Sequence, residues 1–201
     1  MVSGRKGVAG ALPVCFVMMP IGDTAAYDAG HFKDVYECLF CPAIEAAGYL
    51  PKRADDDMSS SMIPVSIIRD IIEAPMAVCD LSTRNPNVLF ELGIRQAFDL
   101  PVVLVQEVGT PRIFDISTIN TIDYHPQLVY KDVLADRAQI TQAILDTAQH
   151  TGVNSIIRLL ELTKRAELSS ANRFDDGEDI TFLLMHMSNQ LRQIQNEIHK
   201  A

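Results

Sequence analysis

Residues 76–106, MAVCDLSTRNPNVLFELGIRQAFDLPVVLVQ, decide the fold. Met76 to Asp80 is a short apolar run closed by an acid, and Val102 to Gln106 is a second run. Neither alternates polar with apolar, the pattern of strands covered on both faces. Between them Leu81 to Pro86 reads as a turn and Asn87 to Phe98 as a helix. Strand, helix and strand at this spacing predict a parallel pair joined by a right-handed crossover.

The alternation extends in both directions. Pro13 to Met19 is a continuous apolar run ended by Pro20, Ile21, Gly22 and Asp23, and Tyr27 to about Ala47 is helical, with Gly48 at its C-terminal cap. Tyr49 to Ala54 predicts a second strand. Asp55 to Asp57 and Ser59 to Ser61 predict a polar loop, and Val65 to Glu73 a short helix whose Ile67, Ile68, Ile71 and Ile72 share a face. Past the break at Gly109 and Pro111, Ile119 to Tyr124 predicts a fifth strand and Lys131 to about Gln149 a closing helix. The expected architecture is α/β: an open, mostly parallel five-stranded sheet with helices on both faces, Rossmann- or flavodoxin-like.

With 201 residues, one core of ordinary size plus an appendage is expected. We expect a lead-in over 1–12, the α/β domain over 13–150 and a helical extension over 151–201. In that extension Leu184, Met187, Leu191, Ile194 and Ile198 repeat at steps of three and four, a coiled-coil seam of under three heptads, so homo-oligomerisation through an Ile180–Ile198 helix is the expectation. A helix folded back on its own domain is the alternative.

Composition narrows the partners. A net charge of -9, from 17 Lys and Arg against 26 Asp and Glu, repels polyanions, so no duplex nucleic acid is expected. The apolar runs fall far short of the ~20 residues a membrane span needs, and no secretory leader is read, so the expected location is cytoplasmic, away from membranes. The four cysteines sit in apolar surroundings and read as free core thiols; Cys38 and Cys41 have the spacing of half a zinc or redox site without a second pair. His31, His125, His150, His186 and His199 are scattered without ligand spacing, and no Gly-rich phosphate loop or serine elbow is present. Neither a metal nor a cofactor is expected.

Ligands of open α/β sheets bind beyond the carboxyl ends of the strands, and the polar residues collect there. The first strand delivers Met19, Pro20 and Gly22, the second Asp55 and Asp56, and the third Asp80, Ser82, Arg84, Asn85 and Asn87. A carboxylate ending a buried strand, as Asp80 does, needs hydrogen bonds or a ligand. Asn87 is placed as the helix N-cap after Pro86, and Glu91, one turn later at i+4, shares its face. Gly93, costly inside a helix, predicts a close neighbour or ligand. Singly, Asn87 as a cap, Asp80 as a turn brace and Glu91 as a solvated acid are each explained by structure alone; the gathering at one edge is not.

The stretches Phe16 to Gly22, Arg53 to Asp56, and above all Asp80 to Gly93 followed by Pro101 to Val105 resemble the nucleoside 2-deoxyribosyltransferase-like superfamily. The closer similarity is to a bacterial branch with a Met-Met-Pro and Arg-Asn-Pro-Asn signature, related to Toll/interleukin-1-receptor (TIR)-like domains. It covers about residues 13–125. The resemblance implies a carboxylate nucleophile at Glu91, a base or ribose contact at Asp80, and a nucleotide or nucleoside substrate. The family's transferases carry further acids before the glutamate where this chain has Asn85 and Asn87, so the proton donor is left open between Asp55, Asp56 and others. Ser82 and Arg84 offer donors and a positive charge to a phosphate. The implied activity is hydrolysis or deoxyribosyl transfer at an N-glycosidic bond; the alternatives are a TIR-like enzyme cleaving NAD, and a nucleotide-binding sensor without catalysis.

Overall fold

The structure, a computed structural model, describes residues 11–22, 25–54, 63–117 and 119–149. Asp55, Asp56, the run Ser59 to Ser61 and the extension over 151–201 lie outside the described residues. Five strands form one sheet: β1 (Val14–Met18), β2 (Leu50–Arg53), β3 (Met76–Asp80), β4 (Val102–Glu107) and β5 (Thr121–Tyr124). Every neighbouring pair is parallel, in the order β2-β1-β3-β4-β5. The chain therefore winds outward from β1 to β2 in one direction and from β3 to β5 in the other. Right-handed crossovers then put the helices of the two directions on opposite faces, and the winding reverses between β1 and β3, the switch point of such sheets.

On one face lie α1 (His31–Val35), a π-helical turn (Tyr36–Phe40), α2 (Cys41–Ala46) and α5 (Tyr130–Gln149); on the other lie α3 (Ile63–Glu73) and α4 (Pro86–Ala97). Strand alternation sorts the core between them. Cys15, Val17, Met76, Val78, Val103 and Val105 pack toward α1, α2 and α5, while Phe16, Met18, Ala77, Cys79, Val102 and Leu104 pack toward α3 and α4. Every residue of β3 and β4 is buried, which is why neither run alternates in sequence. Among the described residues, no helix is long and apolar enough to cross a membrane.

Three local devices hold the frame. Gly48 takes φ +85 and closes α2: its N–H reaches Glu45 O at 2.9 Å and that of Tyr49 reaches Ile44 O at 3.2 Å, the paired bonds of a Schellman motif. Pro42 has no N–H to offer the Cys38 carbonyl. The helix widens there to a π turn, and Arg137 of α5 donates Nε–H to that oxygen at 2.7 Å, with Nη2 alongside. Arg95, wholly buried, donates to Ile71 O, Ala74 O and Pro101 O at 2.5–2.9 Å. It ties the ends of α3 and α4 to the start of β4, and burial lowers its guanidinium only to about 10, so it stays charged.

Four expectations change in detail. Asn85, not Asn87, caps α4: its Oδ1 accepts from Asn87 N–H at 2.8 Å, because Pro86 takes the first helical position and the cap is the residue before it. Gly93 is exposed, with nothing within 4 Å of where a Cβ would stand, so no neighbour requires it. Cys15 and Cys79 are buried thiols, but Cys38 is exposed and Cys41 half-buried. Finally, β4 runs one residue past Gln106 to a buried Glu107.

Candidate functional site

The site begins at the tip of β3. Asp80 shares the face of Met76 and Val78, the α1/α5 side, and is 0% exposed. A carboxylate so placed is stable only with donors around it, and three are supplied. The N–H of Ser82 donates to Oδ1 at 3.0 Å, the Ser82 hydroxyl to the same oxygen at 2.5 Å, and the Tyr124 hydroxyl to Oδ2 at 2.9 Å. Ser82 Oγ in turn accepts the N–H of Glu107 at 2.9 Å and lies 3.1 Å from the Tyr124 hydroxyl. Burial pushes the Asp80 carboxyl up, the bonds from Ser82 and Tyr124 pull it down, and the Glu107 charge adds an upward push, leaving it at about 6. Burial and the Asp80 charge together raise the Tyr124 phenol well above its ordinary value.

Glu107 continues this network. It ends β4 on the same face as Val103 and Val105, and the pairing of Asp80 with Val105 sets it beside the β3 tip. Its Oε1 lies 2.6 Å from His31 Nε2, and its Oε2 accepts from the Tyr27 hydroxyl at 2.9 Å. The Tyr27 and His31 rings stack at 4.9 Å between centroids. Burial, then the bond to Glu107, raises the Tyr27 phenol. Sequence reasoning passed over all three residues. Glu107 stands 76 positions from His31, and the histidine was grouped with the scattered ones. The available signal was a second acid closing a second buried strand, as Asp80 closes the first.

Glu91 lies on the other side. It is half-buried on α4, which packs against β1 and β3. Burial alone pushes its carboxyl from an ordinary 4.5 up to about 7. Behind burial, the charges of Asp80 and then Glu91 both act on the Cys79 thiol and raise it well above its ordinary value. The two acids thus flank the tip of β3, Asp80 from the α1/α5 face and Glu91 from the α3/α4 face.

The remaining predicted residues frame this edge. Met19 and Pro20 are buried where β1 ends, and Gly22 is exposed beyond them. Arg84, exposed and at φ 51, donates Nη2–H to Pro111 O at 2.7 Å; it pins the loop after β4 while remaining at the rim. Asn85 starts α4, and Asn87 is exposed one turn before Glu91. The structure thus gathers Asp80, Ser82 and Tyr124 with Glu107, His31 and Tyr27 into one hydrogen-bonded group. Glu91 is not part of that group, and Asp55 and Asp56 are outside the described residues. Among the described residues, no three His, Cys, Asp or Glu side chains are grouped to hold a metal ion.

Chemically, the edge offers a saturated polar network on one side of β3 and, on the other, a desolvated carboxyl that changes charge near neutral pH. Perturbed acids of that kind cluster at functional sites. No known family model matches the chain, and no curated protein matches it.

Proposed function

We propose that this protein cleaves or exchanges the N-glycosidic bond of a nucleotide or nucleoside, with Glu91 as the nucleophile. The observation that carries the reading is the Glu91 carboxyl, which burial alone raises to about 7, on a helix packed against β1 and β3 at the switch point of the sheet. A carboxylate that has shed water attacks carbon more readily, and the cationic character of an opening sugar ring draws it into the ionised form at the transition state. Attack of a Glu91 oxygen on the anomeric carbon expels the base and leaves a glycosyl ester. Water then yields the free sugar, or a second base the exchanged nucleoside.

The Asp80–Ser82–Tyr124 network supports this by fixing the turn that starts α4, and Asn85 aligns the helix that carries Glu91. The motif resemblance adds the substrate class and the glutamate's role. The test is to incubate the protein with a panel of nucleotides, nucleosides and NAD and to separate free base or nicotinamide by chromatography. The parent should release one of them, and Glu91→Gln should be slower by on the order of 10³-fold or more, as for removal of a nucleophile. Release that rises with pH through about 7 is also expected, since attack needs the ionised form of a group titrating there. Binding without turnover in both proteins would replace the enzyme with a sensor.

A further inference from the structure

We propose that His31, held by Glu107, is the group that protonates the departing base. The assignment rests on the glycosidic reading above and supplies the proton donor that the asparagines at positions 85 and 87 cannot. Three observations lead to it. First, His31 Nε2 lies 2.6 Å from Glu107 Oε1, with side-chain exposures of 14% and 8%: a ring near the surface backed by a more buried carboxylate. That order, carboxylate behind imidazole, is how a ring is fixed in one orientation and given a counter-charge when it carries two protons.

Second, Tyr27 donates to the other oxygen of Glu107 and stacks on the imidazole, so both the carboxylate and the ring are locked. With Nε2 committed to Glu107, proton exchange with a substrate runs through Nδ1. Third, the N–H of Glu107 is bonded to Ser82 Oγ. The pair is therefore fastened to the Asp80 turn, at the same sheet edge as Glu91 but on the opposite face. Displacement at an anomeric carbon needs the nucleophile on one side and the leaving base on the other, and a sugar seated over the β3 tip would meet Glu91 from one face and His31 from the other.

The step balances. The C1′–N bond breaks with its electron pair going to the base, and a purine takes the Nδ1 proton of the imidazolium. A Glu91 oxygen closes the new C1′–O bond. In the second half, water attacks C1′ and gives its proton to the now neutral Nδ1, releasing Glu91 as carboxylate.

The test exploits leaving groups. A purine needs that proton, whereas the nicotinamide of NAD leaves as a neutral molecule from a cationic ring and needs none. Release of adenine from AMP and of nicotinamide from NAD is measured for the parent, His31→Gln and Glu107→Gln, with melting curves for each. In His31→Gln the adenine rate should fall by about 10²-fold or more relative to the nicotinamide rate, and Glu107→Gln should shift the ratio the same way. Equal losses for both substrates, or an unchanged adenine rate, would overturn the assignment of His31 and leave Glu91 standing. Release of no base by the parent from AMP, NAD or any other member of the nucleotide and nucleoside panel would instead overturn the glycosidic reading, and this inference with it. A readout independent of turnover is the nitrogen-15 spectrum of the His31 ring in the Glu91→Gln protein. Added AMP should move the Nδ1 signal, and an unmoved Nδ1 at saturating AMP would overturn the contact.

Discussion

On the α1/α5 face of the sheet edge, Asp80 is wholly buried and both its oxygens receive hydroxyl or amide protons. On the α3/α4 face, Glu91 is less buried, yet its carboxyl is raised as far, from 4.5 to about 7 against 3.8 to about 6 for Asp80. Depth of burial alone would raise Asp80 much further than Glu91. Hydrogen bonds make the difference: Ser82 and Tyr124 return to Asp80 part of what desolvation takes, and burial acts on Glu91 unopposed. The hydrogen-bonded acid organises structure, and the desolvated one is, on the reading proposed above, the one poised for chemistry.

Removing the organised acid should have the largest effect. Asp80→Ala leaves the Ser82 amide, the Ser82 hydroxyl and the Tyr124 hydroxyl buried without their acceptor. The expected loss is about 3–5 kcal/mol of stability in chemical denaturation. A loss below about 1 kcal/mol would erase the contrast between the two faces.

Neutralising the poised acid should do the reverse. Both carboxyls bind protons more tightly when folded than in the open chain, so each contributes stability below its ordinary value that is lost as pH rises through its folded one. For Glu91 that window runs from 4.5 to about 7, and for Asp80 from 3.8 to about 6. At about 1.4 kcal/mol per pH unit, Glu91→Gln should be more stable than the parent by up to roughly 3 kcal/mol at pH 8 and equal to it near pH 4. Denaturation series at the two pH values check this, and a difference independent of pH would contradict it.

Tyr124→Phe probes the hydrogen bonds that hold Asp80 down. It should cost about 1.5 kcal/mol and move the Asp80 titration upward, seen as a pH-dependent loss extending past pH 6 in the same denaturation series. The smallest effect concerns the helix that carries Glu91. Asn85→Ala should cost about 1 kcal/mol through the lost cap, whereas Asn87→Ala, at an exposed side chain, should leave the midpoint within error.

The frame of the comparison was legible in the sequence and its chemistry only partly so. The runs up to Met18, Cys79 and Val105 are apolar throughout because helices cover both their faces, and this pattern survives in one dimension. The π turn was not legible: Pro42 predicts a missing bond at Cys38, but the arginine that supplies it arrives 99 positions later. The cap was misplaced by two residues because two asparagines flank Pro86; the preference of proline for the first helical position decides between them. Glycine at position 93 suggested a neighbour that is not there. Asp80 was legible as a buried acid needing partners. Which partners, and the His31–Glu107 pair beside them, depend on β4 folding beside β3 and β5 beside β4.

The most direct test of the contrast is a carbon-13 NMR titration of the Glu91 side-chain carboxyl in the intact protein. A midpoint near 7, above that of Asp80, is the predicted result. A midpoint near the ordinary 4.5 would make Glu91 a solvated surface acid and leave the α4 side of the edge without a nucleophile.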